Sequence, residues 1–239
     1  MTGLVRKATL LSVCGLLVSG AAFAAVPSPA NSTVPNVIHL VGANGAGTVV
    51  DPVGNYTVVV KDLANNPVQN SSVVVDFSLC GIFDTNINTG QIHPGVTVDC
   101  PTKTVRGLTD ATGTFTFRVR GAAHNVSAGN APGNNTPCGR VYADGVLMKA
   151  TVGVGGATNL GTNGIIVSTY NQNGANNPFD GFTAVDFSIF AGDFFSANYY
   201  TRSDYNGDGI KSPLDLSNLA TVYFAMTVAS VGGSPSFCP

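Results

Sequence analysis

Residues 204–215 read Asp-Tyr-Asn-Gly-Asp-Gly-Ile-Lys-Ser-Pro-Leu-Asp, and the C-terminal part of the chain is expected to fold around this stretch. Counted as loop positions 1 to 12, it has oxygen-bearing side chains at positions 1, 3, 5 and 12 and a glycine at position 6. Oxygen ligands around a sharp glycine turn, closed by a carboxylate, wrap a chain around one hard cation such as calcium. We therefore predict a Ca2+ site with these ligands: Asp204, Asn206, Asp208, the carbonyl oxygen of Ile210, Ser212 and Asp215. The side chain of Ile210 is expected to pack inward.

The end of the same stretch predicts the start of a helix. Ser212 is followed three residues later by Asp215, which is the pattern of a capping box, and Pro213 would occupy the first helical position. The residues that follow keep the spacing of one apolar helix face: Leu216, Leu219, Ala220 and Tyr223. The loop is therefore expected to lead directly into an amphipathic helix.

A second copy of this helix pattern lies upstream. Residues 186–195 align with residues 215–224 without a gap, which indicates an internal duplication with a period of about thirty residues. The loop before the first copy is irregular, because its polar and turn-forming residues lie one position too close to Asp186 for a twelve-residue loop. These residues are Asn176, Pro178, Asp180 and Gly181. One good calcium site and one vestigial loop are expected.

An aspartate at position 12 and a loop that leads into a Leu-x-x-Leu helix resemble the calcium repeat of dockerins, which carry two such repeats. The resemblance implies a small α-helical dockerin-like module at 158–239, with degenerate repeats at about 176–195 and 204–224. Its helices would pack through six apolar residues, Phe187, Phe190, Phe194, Leu216, Leu219 and Tyr223. A true dockerin would dock into a cohesin partner in an extracellular polysaccharide-degrading assembly. Pro213 and Leu214 depart from the hydroxyl residues that dockerins usually have at loop positions 10 and 11.

Residues 1–25 have the features of a secretory signal. Arg6 and Lys7 precede a largely apolar run, and Ala22-Phe23-Ala24 offers a cleavage site. A lipoprotein signal at Cys14 is disfavoured because Val13 is bulky where a small residue belongs. No other apolar run approaches membrane-spanning length, so we expect a secreted protein, extracellular or on the cell surface.

The charge of the exported chain argues against a nucleic-acid partner. Removal of the signal takes away two of the 11 basic residues and none of the 13 acidic ones, which leaves a net charge of −4.

Four cysteines remain, Cys80, Cys100, Cys138 and Cys238, and their even number in an exported chain predicts disulfides with three possible connectivities. The short loop between Cys80 and Cys100 favours that pair, which would leave Cys138 to bond Cys238.

Residues 26–157 have the pattern of short strands separated by turns. Residues 56–61 and 73–79 are rich in Val and Phe, and residues 114–120 alternate so that Phe115, Phe117 and Val119 would be buried. Residues 141–147 predict a hairpin closed by Asp-Gly. The fold class expected is mainly β, an immunoglobulin-like antiparallel sandwich beside the helical module.

The residues Val58-Val59-Val60-Lys61-Asp62, Asn66-Pro67-Val68 and 109–115 resemble the frame of bacterial immunoglobulin-like repeats of surface and adhesion proteins. The resemblance implies the fold and a surface role, and it says little about a ligand. Two insertions, 81–103 and 121–140, are expected to be long loops where binding would be built. Residues 155–164 predict a flexible joint.

Catalytic patterns are nearly absent from the sequence. His39, His93 and His124 are isolated in the sequence. The aspartates outside the predicted calcium loop could pair for hydrolysis, but turn geometry and loop solubility explain them better. We therefore expect a non-catalytic, calcium-binding surface or interaction protein with a possible protein partner, cohesin-like or a cell-surface component. A true dockerin is the first alternative, and a small secreted hydrolase or enzyme accessory is the second. An exposed apolar patch on the helices would favour the first, and convergence of His93 or His124 with Asp84 or Asp99 the second.

Overall fold

The computed structural model describes residues 25–42, 54–80, 85–91, 93–123, 138–149, 165–169, 183–197, 203–205, 210–226 and 238. The predicted signal, the loop segment 206–209 and the loop before Asp186 lie outside these ranges. The structure is mainly β, as expected, with two helices. In chain order the elements are β1 (Val37–Val41), β2 (Tyr56–Val59), β3 (Ser72–Asp76), β4 (Thr85–Ile87), β5 (Thr97–Asp99), β6 (Thr104–Leu108), β7 (Thr114–Phe117), β8 (Val119–Ala123), β9 (Arg140–Ala143), β10 (Val146–Lys149), β11 (Ile166–Thr169), α1 (Ala184–Phe195) and α2 (Pro213–Met226).

The largest sheet is antiparallel and has the strand order β10-β9-β3-β6-β5. Its central strand, β3, pairs with β6 from Ser72 to Asp76 and with β9 on the other side. The hairpin of β9 and β10 turns through Asp144 and Gly145, which have φ angles of 46° and 79°. Two successive left-handed residues are what a two-residue hairpin requires, so the predicted Asp-Gly hairpin is confirmed.

A second sheet is mixed rather than antiparallel. Its order is β11-β1-β8-β4, and β1 is parallel to both β11 and β8, whereas β4 is antiparallel to β8. The expectation of a purely antiparallel fold is wrong for β1, because this strand pairs with partners that come far later in the chain. A third, two-stranded sheet joins β2 to β7, and a single residue, Arg118, separates β7 from β8.

Strands of all three sheets contribute to one hydrophobic cluster. The predicted alternation in the β7–β8 segment is confirmed, since Phe115, Phe117 and Val119 are buried. The ring of Phe115 lies against Gly107 of β6, where a Cβ atom would fall 2.1 Å from the ring. A glycine at this position therefore lets an aromatic side chain from one sheet rest on the backbone of another.

The residues that carry the immunoglobulin-like resemblance lie side by side. Val68 N donates to Val60 O at 3.0 Å, and Val60 N donates to Gly113 O at 2.8 Å. Thr109 Oγ1 donates to Val68 O at 2.6 Å, and Gly113 has a φ of 71°, which glycine adopts without strain. The frame is thus one connected set of turns at the end of the strands.

The insertion at 81–103 is not simply a loop. It contains β4, which pairs with β8, and β5, which pairs with β6. Its short strands complete two sheet edges whose backbone groups would otherwise lack partners. Of the insertion at 121–140, residues 121–123 continue β8, and residues 124–137 lie outside the described ranges.

The chain contains two disulfides, but with a connectivity that differs from the favoured one. Cys80 bonds Cys138, and Cys100 bonds Cys238, each with a Cα–Cα distance of 4.8 Å. Cys80 follows β3 and Cys138 precedes β9, and these strands are neighbours in the large sheet. The prediction that cysteines close in sequence would bond was wrong, because adjacent strands of the sheet bring together cysteines that are far apart in sequence.

Two segments that the sequence assigned to the helical module return to the β region. Ile165 forms a β-bridge with Gly139, and β11 pairs with β1 from Val37 to Leu40. Near the end of the chain, Cys238 N donates to Ile87 O at 2.8 Å beside the disulfide to Cys100. The boundary expected at 157 stays a prediction, and the sheets include residues on both sides of it.

Candidate functional site: the duplicated helix starts

The two helices begin with the same set of hydrogen bonds. At α1, Thr183 N and Oγ1 donate to Asp186 Oδ2 at 2.7 and 3.0 Å, and Val185 N donates to Thr183 Oγ1 at 3.2 Å. At α2, Ser212 N and Oγ donate to Asp215 Oδ2 at 2.8 and 3.1 Å, and Leu214 N donates to Ser212 Oγ at 3.2 Å. The predicted capping box at Ser212 is confirmed, and an identical one occurs in the first copy.

The burial of side chains also repeats between the helices. Their first residues, Ala184 and Pro213, are 29 positions apart, and the same offset relates Asp186 to Asp215, which are both fully buried. It also relates Phe190 to Leu219, which are the buried apolar residues of the two helices among the side chains that the structure describes. The duplication read from the sequence therefore has a matching three-dimensional pattern.

The predicted packing residues are only partly correct. Phe190 and Leu219 are buried, but Phe187 and Leu216 are 42% and 39% exposed. The aspartate that precedes each of them in the sequence, Asp186 or Asp215, is turned inward by its cap, so the next residue lies on the outer side. Phe194 is half-buried, and the side chain of Tyr223 lies outside the described set.

The two ends of the predicted calcium loop are buried and joined to each other. Asp204 and Asp215 are both fully buried, and Tyr205 N, at loop position 2, donates to Asp215 Oδ1 at 2.9 Å. Asp215 Oδ2 already accepts two hydrogen bonds from Ser212, so a cation would be bound through Oδ1, the oxygen that accepts from Tyr205. Ile210 is 59% exposed, so the inward packing expected of its side chain is wrong.

The described part of the predicted loop fits a hard cation in its donor chemistry, since the oxygens that it offers are carboxylate, hydroxyl and carbonyl oxygens. Asn206 and Asp208, two of the predicted ligands, lie outside the described residues. Among the residues that the structure does describe, no group of three or more His, Cys, Asp or Glu side chains is placed to hold a metal ion. Of the predicted ligands, the structure describes Asp204, Ile210, Ser212 and Asp215.

A lysine from the loop contacts the end of the first helix. Lys211 Nζ donates to the carbonyl oxygens of Asp193 and Ser196, the latter at 2.9 Å. A cation that binds the last carbonyls of a helix stabilises it through hydrogen bonds and the helix dipole. Asp193 is itself buried and accepts a hydrogen bond from Ser203 Oγ at 2.7 Å. The predicted calcium loop is thus attached to α1 as well as to α2.

Tyr205 contacts both the helices and the β region. Its ring stacks on Phe190 of α1 at a centroid distance of 5.5 Å and meets His39 of β1 edge-on, also at 5.5 Å. Ile38 and Leu40 of β1 face the main core, so His39 projects from the other face of the sheet. Burial lowers the pKa of His39 to about 3, so this side chain is neutral at pH 7. Neither contact was predicted from the sequence, where His39 and Tyr205 belong to separate patterns.

The residues proposed for a catalytic alternative are not brought together within the described ranges. Asp99 Oδ2 forms an ion pair with Arg106 at 3.1 Å, and the ring of His93 lies 6.5 Å from that of Phe115. Asp84 and His124 lie outside the described residues. The absence of catalytic activity stays a prediction.

Comparison with protein-family profiles, with curated proteins and with solved structures finds no match for this chain. No helix in the described ranges is long and apolar enough to cross a membrane. The two disulfides are of the kind that forms in oxidising compartments.

Proposed function

We propose that this chain is a secreted, non-catalytic surface or interaction protein, in which a dockerin-like helix pair is stabilised by calcium beside an immunoglobulin-like sandwich. The observation that carries the proposal is the burial of Asp204 and Asp215 at the two ends of one loop. A buried carboxylate is costly unless hydrogen bonds or a cation compensate its charge. A cation between the loop ends would compensate both.

The cation would act as a folding ligand. Asp204, Asp208 and Asp215 would repel one another without it, and their negative charges favour its binding. Asn206, the Ile210 carbonyl and Ser212 would complete the oxygen ligands. Because the complete site exists only in the folded loop, the free energy of binding adds to the stability of the helix pair.

The sandwich is supported by the hydrophobic cluster shared among the three sheets and by the contact of Phe115 with Gly107. Export is supported by the signal pattern of residues 1–25 and by the two disulfides. A rigid, cross-linked β region with a helix pair attached suits a protein displayed outside the cell.

The experiment is a calorimetric titration of residues 26–239 with calcium. We expect one site, whose heat is lost in Asp204→Ala and retained in Asp99→Ala. The control removes one partly exposed, ion-paired carboxylate at the sheet edge. A titration without heat in the unmodified chain, followed by an unchanged thermal transition in excess chelator, would refute the calcium site. Two sites would show that the loop before Asp186 also binds.

A specific observation also favours docking to a cohesin-like partner. Val185 and Leu214 are 52% and 55% exposed, and Phe187 and Leu216 are also exposed, so both helices present apolar residues at matching positions. Exposed apolar surface of this kind often marks an interaction site. Immobilised cohesin domains should retain the chain in calcium, and Phe187→Ser with Leu216→Ser should release it. The matched control is Leu63→Ser, which changes an exposed leucine in a turn of the β region. Equal retention of both variants would exclude this surface.

A further inference from the structure

The four arginines in the described ranges fall into two pairs. Arg106 forms an ion pair with Asp99 at 3.1 Å, and Arg140 forms one with Asp76 at 2.6 Å. Arg118 and Arg120 form no ion pair with any residue that the structure describes. Within the part of the chain that the structure describes, these two guanidinium groups therefore have no carboxylate partner, although the net charge of the protein is negative.

Arg118 and Arg120 lie on one face of the β7–β8 segment. Phe117 and Val119, which alternate with them, point into the core, so the two arginines project outward, where both are half-buried. Residues two apart on a strand are separated by about 7 Å. Two long side chains at that spacing can converge on one small anion.

Contacts with neighbouring residues position both arginines. Arg118 Nε donates to Asn55 Oδ1 at 2.8 Å, which orients the guanidinium and leaves its two terminal amino groups available. The side chain of Gln91 bonds both backbone groups of Arg120, accepting from its N at 2.8 Å and donating to its O at 2.9 Å. This fixes the backbone from which the second guanidinium extends.

The space beside Arg120 is bordered by a glycine. A Cβ atom on Gly90 would lie 4.0 Å from Arg120 Nη1, so this residue approaches the guanidinium without a side chain. Gly90 N donates to Asn88 Oδ1 at 2.7 Å, which holds the loop in place. The loop thus lies next to the guanidinium of Arg120. Because residue 90 is a glycine, no side chain at this position covers the N–H donors of the guanidinium.

The electrostatic surroundings are positive. Burial and the positive charge of Arg118 lower the pKa of His93, so His93 adds no carboxylate-like charge that would offset Arg118. Burial also lowers the pKa of Arg120. A positive charge partly removed from water interacts with an anion more strongly than one in full contact with water.

We propose that Arg118 and Arg120 together bind an oxyanion, a sulfate or carboxylate group, on the outer face of this strand. The planar fork of a guanidinium matches both groups through paired hydrogen bonds. Recognition would be local, since the net negative charge of the chain gives no long-range attraction to a polyanion such as a nucleic acid. The source of the group is either a free anion or an acidic sugar.

The test follows the Nε–Hε signals of the arginines by NMR while sodium sulfate or sodium glucuronate is added, with sodium chloride at matched ionic strength as reference. We expect saturable shifts at Arg118 and Arg120, and none at the ion-paired Arg106 and Arg140. A response to sulfate alone assigns a free anion, and a response to glucuronate assigns an acidic sugar. Equal shifts at all four arginines, or shifts identical to those in chloride, would overturn the proposal.

Variants give a second readout. Arg120→Gln should weaken binding about tenfold, because it removes charge-assisted hydrogen bonds. Arg120→Lys should weaken it as well, since a lysine keeps the charge and loses the fork. Arg106→Gln, which makes the same change in charge elsewhere on the sheet, should bind like the unmodified chain. Equal weakening by Arg106→Gln would show a nonspecific charge effect and overturn the site.

Discussion

The β region and the helix pair bury different kinds of side chain. The β region buries a continuous apolar cluster, and its buried aspartate, Asp76, is ion-paired with Arg140. Within the described ranges the helix pair buries three apolar residues, Phe190, Tyr205 and Leu219, and four aspartates, Asp186, Asp193, Asp204 and Asp215. The β region can therefore be stabilised by the hydrophobic effect, whereas the helix pair depends on hydrogen bonds and, as we propose, on a cation.

The largest expected effect comes from truncating one aromatic residue in each region. Phe117→Ala should lower the free energy of unfolding by about 3–5 kcal/mol and destabilise all strands, because it opens a cavity in the shared cluster. Phe190→Ala should unfold the helices and leave the strands folded. Urea unfolding followed by far-ultraviolet circular dichroism and by hydrogen exchange of individual strands measures both. Equal loss of strand protection in the two variants would show one folding unit.

Acid should destabilise the contact between the two regions through His39. Its pKa is 6.5 in the unfolded chain and about 3 in the folded one, so between these values the unfolded state binds a proton that the folded state does not. Stability is therefore complete above about pH 6.5 and falls with decreasing pH by at most about 1.4 kcal/mol per unit, or about 3 kcal/mol by pH 4.

Unfolding measured from pH 7 to pH 4 checks this slope. His39→Phe should remove most of it. His93→Phe is the control, because His93 is partly exposed and should contribute less. A slope unchanged in His39→Phe would assign the acid sensitivity to carboxylates instead.

The helix caps should have smaller effects that distinguish the two copies. Thr183→Ala and Ser212→Ala should each cost about 0.5–2 kcal/mol, since each leaves a helix start without its side-chain acceptor. Only Ser212→Ala should also weaken calcium binding, because Ser212 is a predicted ligand and Thr183 is not. Thermal unfolding with and without calcium separates the two contributions. A calcium-dependent loss in Thr183→Ala would mean that the first loop binds as well.

The smallest expected effect is the coupling between the regions. A double-mutant cycle with His39→Ala and Tyr205→Ala should give an interaction energy of about 0.5–1.5 kcal/mol, the range for edge-to-face aromatic pairs. His39→Ala with Leu63→Ala serves as the reference cycle and should be additive, because Leu63 is an exposed residue in a turn of the β region. Additivity in both cycles would mean that the helix pair and β1 do not stabilise each other.

Local patterns in the sequence were reliable where neighbouring residues determine the structure. Alternation identified the buried face of β7 and β8, Asp-Gly identified the hairpin of β9 and β10, and Ser-Pro-Leu-Asp identified the start of α2. In each case the side chains or turn residues that decide the conformation lie within a few positions of one another.

Long-range features could not be predicted in this way. Two kinds of contact join segments that are far apart in the sequence: the parallel pairing of β1, and the disulfides Cys80–Cys138 and Cys100–Cys238. No local sequence pattern encodes them. The outward position of Phe187 was missed because apolar spacing alone cannot show that Asp186 occupies the inner side of α1. The contact of Tyr205 with His39 joins two patterns that the sequence presents as separate.

The bond between Cys100 and Cys238 determines how the molecule would respond to mechanical force. It closes a covalent loop over a sequence separation of 138 residues, and both helices lie inside that loop. Tension applied at Cys238 would pass through the two sulfur atoms to the end of β5 and would bypass the helix pair. A protein displayed on a cell surface, as we propose, could be pulled at that point without unravelling the predicted calcium loop, and reduction of the disulfide would transfer the load to the helices.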